Sequence, residues 1–206
     1  MKYLVFDLEL TGDEPGWHEI VQLGACLYDE DWNKLGTFLS NVYPDNEESF
    51  SLPSAEIHGL SLEELNEAPM LHEVIESFET WILDTIRGAN KWQAHQKPGL
   101  LKSVTLCGQS VHYDVNFLRY AYRDENLDWP YSHKTIDLYQ FSFFLFKILR
   151  SNGIDTPKSL SLGAVAYYFG FERESDIHNA LEDSILTGKC LKKVLEYVDK
   201  LKLSDE

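Results

Sequence analysis

Phe6-Asp7-Leu8-Glu9-Leu10-Thr11-Gly12 closes the first apolar run of the chain, Lys2 to Leu10. The run is β-prone, and the dense turn signal Thr11-Gly12-Asp13-Glu14-Pro15-Gly16 stops it. Residues two apart on a strand point to one face, so Asp7 and Glu9 present both carboxylates to one side while Leu8 faces the other. Two ionised carboxylates that close repel each other, and burial raises their pKa values unless a cation compensates. The pair therefore reads either as two solvated charges at a strand end or as half of a metal cage.

Outward from this strand the pattern stays β for two further runs. Glu19 to Tyr28 carries Ile20, Val21, Leu23, Ala25 and Leu27; Asp29-Glu30-Asp31 breaks it, and Lys34 to Tyr43 resumes it. Such close spacing predicts an antiparallel meander. From Leu52 the period changes. Ser61 precedes Leu62-Glu63-Glu64-Leu65 with Glu64 at the capping-box position, and Leu71 to Thr85 keeps helical spacing. Ser103 to Gly108 reads as a buried strand, Asp114 as the opening of a helix, and Thr135 to Leu138 as a short strand. Tyr139 to Leu149, a segment after Thr156-Pro157-Lys158-Ser159 up to Phe169, and about Asn179 to Leu201 read as helices. Strands first, then strands alternating with helices, predict an α/β fold in which helices flank a mixed sheet. No repeat or linker divides residues 1–206, so one domain is expected.

Three more polar residues stand in telling settings. Asp114 follows Leu106-Cys107-Gly108-Gln109-Ser110-Val111-His112-Tyr113 and is equally suited to cap a helix. Asp183 lies beside an apolar helical stripe containing Ala180 and Leu181, where burial without a partner is costly. His178 lies five residues earlier and gains weight only from that company. Asp137, near another strand end, reads as structural. The segment 88–102 carries Lys91, Trp92, His95 and Lys97 with no acid. It is either a solvated loop or a basic, aromatic strip for single-stranded nucleic acid.

Taken in order, these segments resemble the DEDD 3′–5′ exonucleases of the histidine subtype, a family that includes polymerase proofreading domains, ribonuclease T and oligoribonucleases. Asp7, Glu9, Thr11 and Gly12 match the first motif; Tyr113, Asp114, Phe117 and Leu118 match the second; His178, Ala180 and Asp183 match the third. Leu10, Gln22 and Gln109-Ser110 depart from the family pattern beside the cage rather than in it. The resemblance implies a ribonuclease H-like, five-stranded mixed sheet. It implies that Asp7, Glu9 and Asp183 hold one Mg²⁺ or Mn²⁺, that Asp7 and Asp114 hold a second, and that His178 is the general base. Oxygen ligands without a thiolate suit these hard ions better than zinc. It further implies that the Leu10-Thr11 backbone and Ile57-His58 hold the 3′-terminal nucleotide, with Phe117 stacking on a base or lying in the core.

The expected activity is hydrolysis of the terminal phosphodiester of single-stranded DNA or short oligonucleotides to 5′-mononucleotides. The alternatives are an exoribonuclease trimming RNA ends and a catalytically weak nucleic-acid-binding accessory module. The bulk numbers are consistent with either enzyme. A net charge of −16, from 34 acids against 18 bases, argues against general electrostatic attachment to duplex DNA and favours a local grip on a 3′ end. Cys26, Cys107 and Cys190 sit in apolar contexts with no metal-like spacing, as reduced core residues do. No membrane span or signal peptide is apparent, so a cytoplasmic location is expected. A homodimer and a polymerase or repair partner both remain open.

Overall fold

Alternation of the first strand settles how the layers form. In the computed structural model, which describes residues 1–198 and Lys200, β1 (Lys2–Leu10) lies in the middle of a five-stranded sheet. Its neighbours are β2 (Ile20–Tyr28), with β3 (Lys34–Asn41) beyond it, and β4 (Val104–Gly108), with β5 (Thr135–Asp137) beyond that. The order is β3-β2-β1-β4-β5. The first three strands pair antiparallel; β4 lies parallel to β1 and β5 parallel to β4. This is the expected mixed, ribonuclease H-like α/β arrangement.

Leu4, Phe6 and Leu8 point to one face, together with Leu23, Ala25 and Leu27 of β2. There they meet Val74, Ile75, Phe78 and Ile82 of α3 (Leu71–Arg87) and Phe117, Leu118 and Ala121 of α5 (His112–Asp124). Each buried Leu, Ile, Val or Phe among them contributes about 1.5–3 kcal/mol of transfer free energy. Val5, Cys26 and Cys107 point to the other face, under α6 (Leu138–Ser151), α7 (Leu162–Tyr168) and α8 (Ala180–Val198). Asp7 and Glu9 continue the alternation of Val5, and so face the layer that contains α8.

Two short helices precede α3. In α1 (Leu52–His58) Ser51 caps the start, and Gly59, at φ 69°, ends the helix in the left-handed conformation that costs glycine least. In α2 (Leu62–Leu65) Ser61 and Glu64 form the expected capping box. Some expectations are corrected. Within 88–102, expected as a loop, α4 spans Lys97–Lys102, and Leu101 is buried against the core. Six residues containing Pro98 and Gly99 are too few to show a helical period. The basic strip is also partly spoken for: Lys97 Nζ lies 2.5 Å from Glu79 Oε2, and Trp92 Nε1 donates to Asp84. Helix α7 begins at Leu162, capped by Ser161, rather than near Lys158. Leu201, the expected end of the last helix, lies outside the described residues.

Candidate active site

Helix α8 is laid on the sheet by backbone contact. Gly24 is the register partner of Asp7 across β1 and β2, and a Cβ placed on Gly24 would lie 2.1 Å from Ala180 C and Leu181 N. Only a glycine lets the helix come that close. Beside it, Gln22 is the partner of Glu9 and accepts the Ala180 N–H at 2.9 Å through Oε1, while its Nε2 donates to Asn41. Asn179 Oδ1 accepts the N–H groups of Leu181 and Glu182 and so starts the helix. The first turn of α8 is thereby pinned over Asp7 and Glu9, and Asp183 follows one turn on. Gln22, where the family often has glutamate, adds no fifth charge beside Glu9.

Asp7, Glu9, Asp114, His178 and Asp183 line one cleft of about 540 Å³, with Ser110, Tyr113 and Arg173 on its walls. Ligand atoms of Glu9, His178 and Asp183 lie within 4.8 Å of one another. Glu9, Asp114 and Asp183 are buried, whereas Asp7 is partly open to the cleft. Asp114 is the third residue of α5 rather than its cap. Asp137 caps α6 instead, its Oδ1 accepting the N–H groups of Tyr139 and Ser110.

The electrostatics show what this assembly lacks. Burial, then the neighbouring charges of Asp114, Glu9 and Asp183, hold the Asp7 carboxyl well above the usual range. Burial and Asp183 push Glu9 up to about 8. Burial pushes Asp114 to about 7, against the N–H groups of Asp114 and Leu8. Among the described residues, Glu9 Oε1 is buried with no hydrogen-bond partner. Crowded carboxylates with an unpartnered inward oxygen fit divalent cations, whose charge would reverse these shifts. His178 moves the other way: burial and the Arg173 guanidinium lower its pKa, keeping the imidazole neutral.

Arg173 is the residue that sequence reasoning missed. Its Nε and Nη2 donate to the two oxygens of Asp183 at 2.7 and 2.8 Å, and Nη1 lies 3.0 Å from His178 Nε2. No local pattern links a loop arginine to an acid ten residues later.

A second pocket adjoins the cleft through Leu8, Glu9 and Tyr113, and is lined also by Leu10, Ile57 and His58. His58 Nδ1 accepts the Leu60 N–H, which leaves the proton on Nε2, a buried atom without a partner among the described residues. The Ile57 carbonyl accepts the His178 N–H at 2.9 Å, joining the pocket wall to the imidazole loop. Thr11 stands behind the pocket. Its N–H donates to Glu19, its carbonyl accepts from Ser51, and its hydroxyl contacts Ser49 and the Glu19 N–H. Its groups therefore brace the turn rather than face the cavity.

Phe117 takes the core alternative: only 2% exposed, it lies on the α5 face shared by Leu118 and Ala121. The ring exposed at the cleft is Tyr113, stacked at a tilt on Phe117 with centroids 5.3 Å apart. Tyr113 precedes Phe117 by one turn on the same side of α5, so its ring covers Phe117 from the cleft.

Known proteins share both the fold and the sequence pattern. The nuclease domain of 3′hExo, a DEDDh family member solved with bound rAMP, superposes at a TM-score of 0.73 with 17% identity, covering 100% of this chain and 96% of that one. Exonuclease I of E. coli in complex with a dT13 oligonucleotide gives 0.75 and 18%, covering 97% of this chain and 43% of that one. In sequence, the chain is 26% identical over 202 residues to the 3′-5′ exonuclease DinG of Staphylococcus haemolyticus, and 24% over 199 residues to the PolC-type DNA polymerase III of Bacillus cereus. These matches cover 97% and 95% of the chain but only 19% and 11% of those longer relatives. The profile of the exonuclease family RNase_T matches residues 4–191, nearly the whole sheet-and-helix assembly that carries the cleft. The chain belongs to that exonuclease family.

Proposed function

We propose that this protein is a metal-dependent 3′–5′ exonuclease that removes 5′-mononucleotides from single-stranded DNA or short oligonucleotides. The single observation that carries the reading is the cleft in which Asp7, Glu9, Asp114 and Asp183 meet His178. Two Mg²⁺ or Mn²⁺ ions held by those four carboxylates would supply charge neutralisation for the attacking and leaving oxygens. His178, kept neutral by its surroundings, takes the proton of the attacking water as general base. The adjoining pocket receives the terminal nucleotide, where Leu10 and Ile57 give apolar contact and His58, its Nε2 buried beside the Leu10 backbone, shapes the same wall. Thr11 supports that wall from behind. Tyr113, rather than Phe117, offers the face on which a base stacks.

The walls bound the substrate as well as the chemistry. The net charge of −16 disfavours extended attachment to a duplex, so the grip is confined to the end of a single strand. A cytoplasmic setting is part of this proposal; among the described residues, no helix is long and apolar enough to cross a membrane. The similarity to a PolC-type polymerase suggests a polymerase or repair assembly as the partner.

The test is a time course on 3′-labelled and 5′-labelled single-stranded DNA and RNA with Mg²⁺, Mn²⁺ or EDTA. Immediate release of labelled mononucleotide from the 3′ end, a ladder from the 5′-labelled strand, and silence in EDTA are expected. RNA cleaved faster than DNA would move the assignment to the exoribonuclease. No cleavage of any single strand with either metal would leave a binding module.

A further inference from the structure

Arg173 occupies the position in which a cation is required. Its fork takes both oxygens of Asp183, a residue only 3% exposed, and its third nitrogen faces the imidazole atom that would otherwise accept a proton. It also lowers the pKa values of Asp7 and Glu9, as a positive charge inside the cage must. While this contact holds, Asp183 is engaged by a bidentate partner and His178 Nε2 is covered. A divalent ion bound to Asp183 would stand against the guanidinium, and like charges at that range repel.

The guanidinium has an alternative berth. Arg173 forms part of the wall between the catalytic cleft and a neighbouring depression lined by Gly163, Tyr167, Glu172 and Asp176. Both of those acids are exposed and able to receive it.

We propose that Arg173 is a displaceable counter-ion: it holds Asp183 and His178 in place while the cage is without metal, and metal loading drives it out toward the Glu172–Asp176 side. Arg173 is thus a positioning residue, and the same exchange uncovers the base and admits the ions. The proposal rests on the nuclease reading of the cage.

Calorimetric titration of the metal-free protein with Mn²⁺, without nucleic acid, tests it on the wild type, Arg173→Gln and Arg173→Lys. Arg173→Gln should bind Mn²⁺ on the order of tenfold more tightly, because a competing charge is gone. Its melting temperature should fall without metal and return to the wild-type value when Mn²⁺ saturates. Arg173→Lys, with charge but no fork, should lie between the two. Independently of any variant's folding, NMR of the wild type should show an exchange-protected arginine Nε–H that is lost on adding Mg²⁺ and is absent from Arg173→Lys. Equal or weaker Mn²⁺ binding by folded Arg173→Gln, or an Nε–H signal that persists at Mg²⁺ saturation, overturns the proposal and leaves the nuclease reading standing. Failure of the wild type to bind either metal would overturn both.

Discussion

Asp7 and Gly24 face each other across the β1–β2 ladder, and the backbone of α8 rests on Gly24. One glycine thus sets the distance between the first carboxylate of the cage and the helix that brings the last. Gly24→Ala would force Ala180 and Leu181 away from the sheet. Overpacking of this kind typically costs about 1–3 kcal/mol, and here it moves Asp183 relative to Glu9. Loss of Mn²⁺ affinity by calorimetry, together with a lower melting temperature, is the expected result. A variant with wild-type affinity would show that the helix tolerates the shift.

Ionising several crowded, buried carboxyls is costly, so the metal-free protein should weaken as pH rises. The folded-state pKa of Glu9 is raised to about 8 from its ordinary 4.5, so the native state binds more protons than the unfolded chain between those values. Stability from this group is complete below about pH 4.5 and is lost as pH passes through about 8; Asp7 and Asp114 shift in the same direction. Melting in EDTA should therefore occur at lower temperature at pH 8.5 than at pH 5.5. Glu9→Gln should reduce that difference, and Mn²⁺ should stabilise the wild type more at the higher pH. A melting temperature in EDTA that rises over this interval would contradict the assignment.

Asp7→Ala should abolish cleavage while the metal-free protein stays folded or melts higher at pH 8, since a repelled charge is removed. Single-turnover assays beside thermal melts check both halves. Cleavage by the folded variant would take the cage out of the mechanism.

Replacing His178 by Ala should slow turnover about 10²–10⁴-fold, the usual contribution of a positioned base, with Mn²⁺ binding retained. Rate per bound metal is the quantity to measure. If that rate is unchanged and only affinity falls, the imidazole is a ligand and not a base.

Lys97→Ala should affect stability rather than nucleic-acid binding. Lys97 neutralises Glu79, whose other oxygen accepts the Tyr122 hydroxyl within a buried cluster that includes Tyr131. A lower melting temperature with unchanged KM for single-stranded DNA is expected. A raised KM without destabilisation would restore the nucleic-acid strip.

How much of this was readable from the chain varies with the length of the pattern. Asp7 and Glu9 were legible because a strand repeats every two residues, and the β1–β3 meander because its apolar runs stand close together. Asp114 and Asp183 were legible as acids too near apolar stripes to be idle. The Gln22 bridge to Ala180 and the Arg173 fork were not, because each joins residues that no turn or period brings together. Phe117 as a core residue was legible from its spacing with Leu118 and Ala121; the exposure of Tyr113, one turn before it on the same side, was not. Helix α4 was not, being shorter than two turns and holding both a proline and a glycine.

The site draws Asp7 and Glu9 from the sixth and eighth positions of the sheet's central strand and Asp183 from the last described helix. During synthesis, the opening strand leaves the ribosome long before its partner acid exists. A nascent chain, or one truncated ahead of Ala180, carries Asp7, Glu9, Asp114 and His178 but lacks Asp183 and the helix that holds it over the sheet. The proposed cleavage would therefore wait until translation has passed the helix that completes the cage, a safeguard that comes from chain order alone.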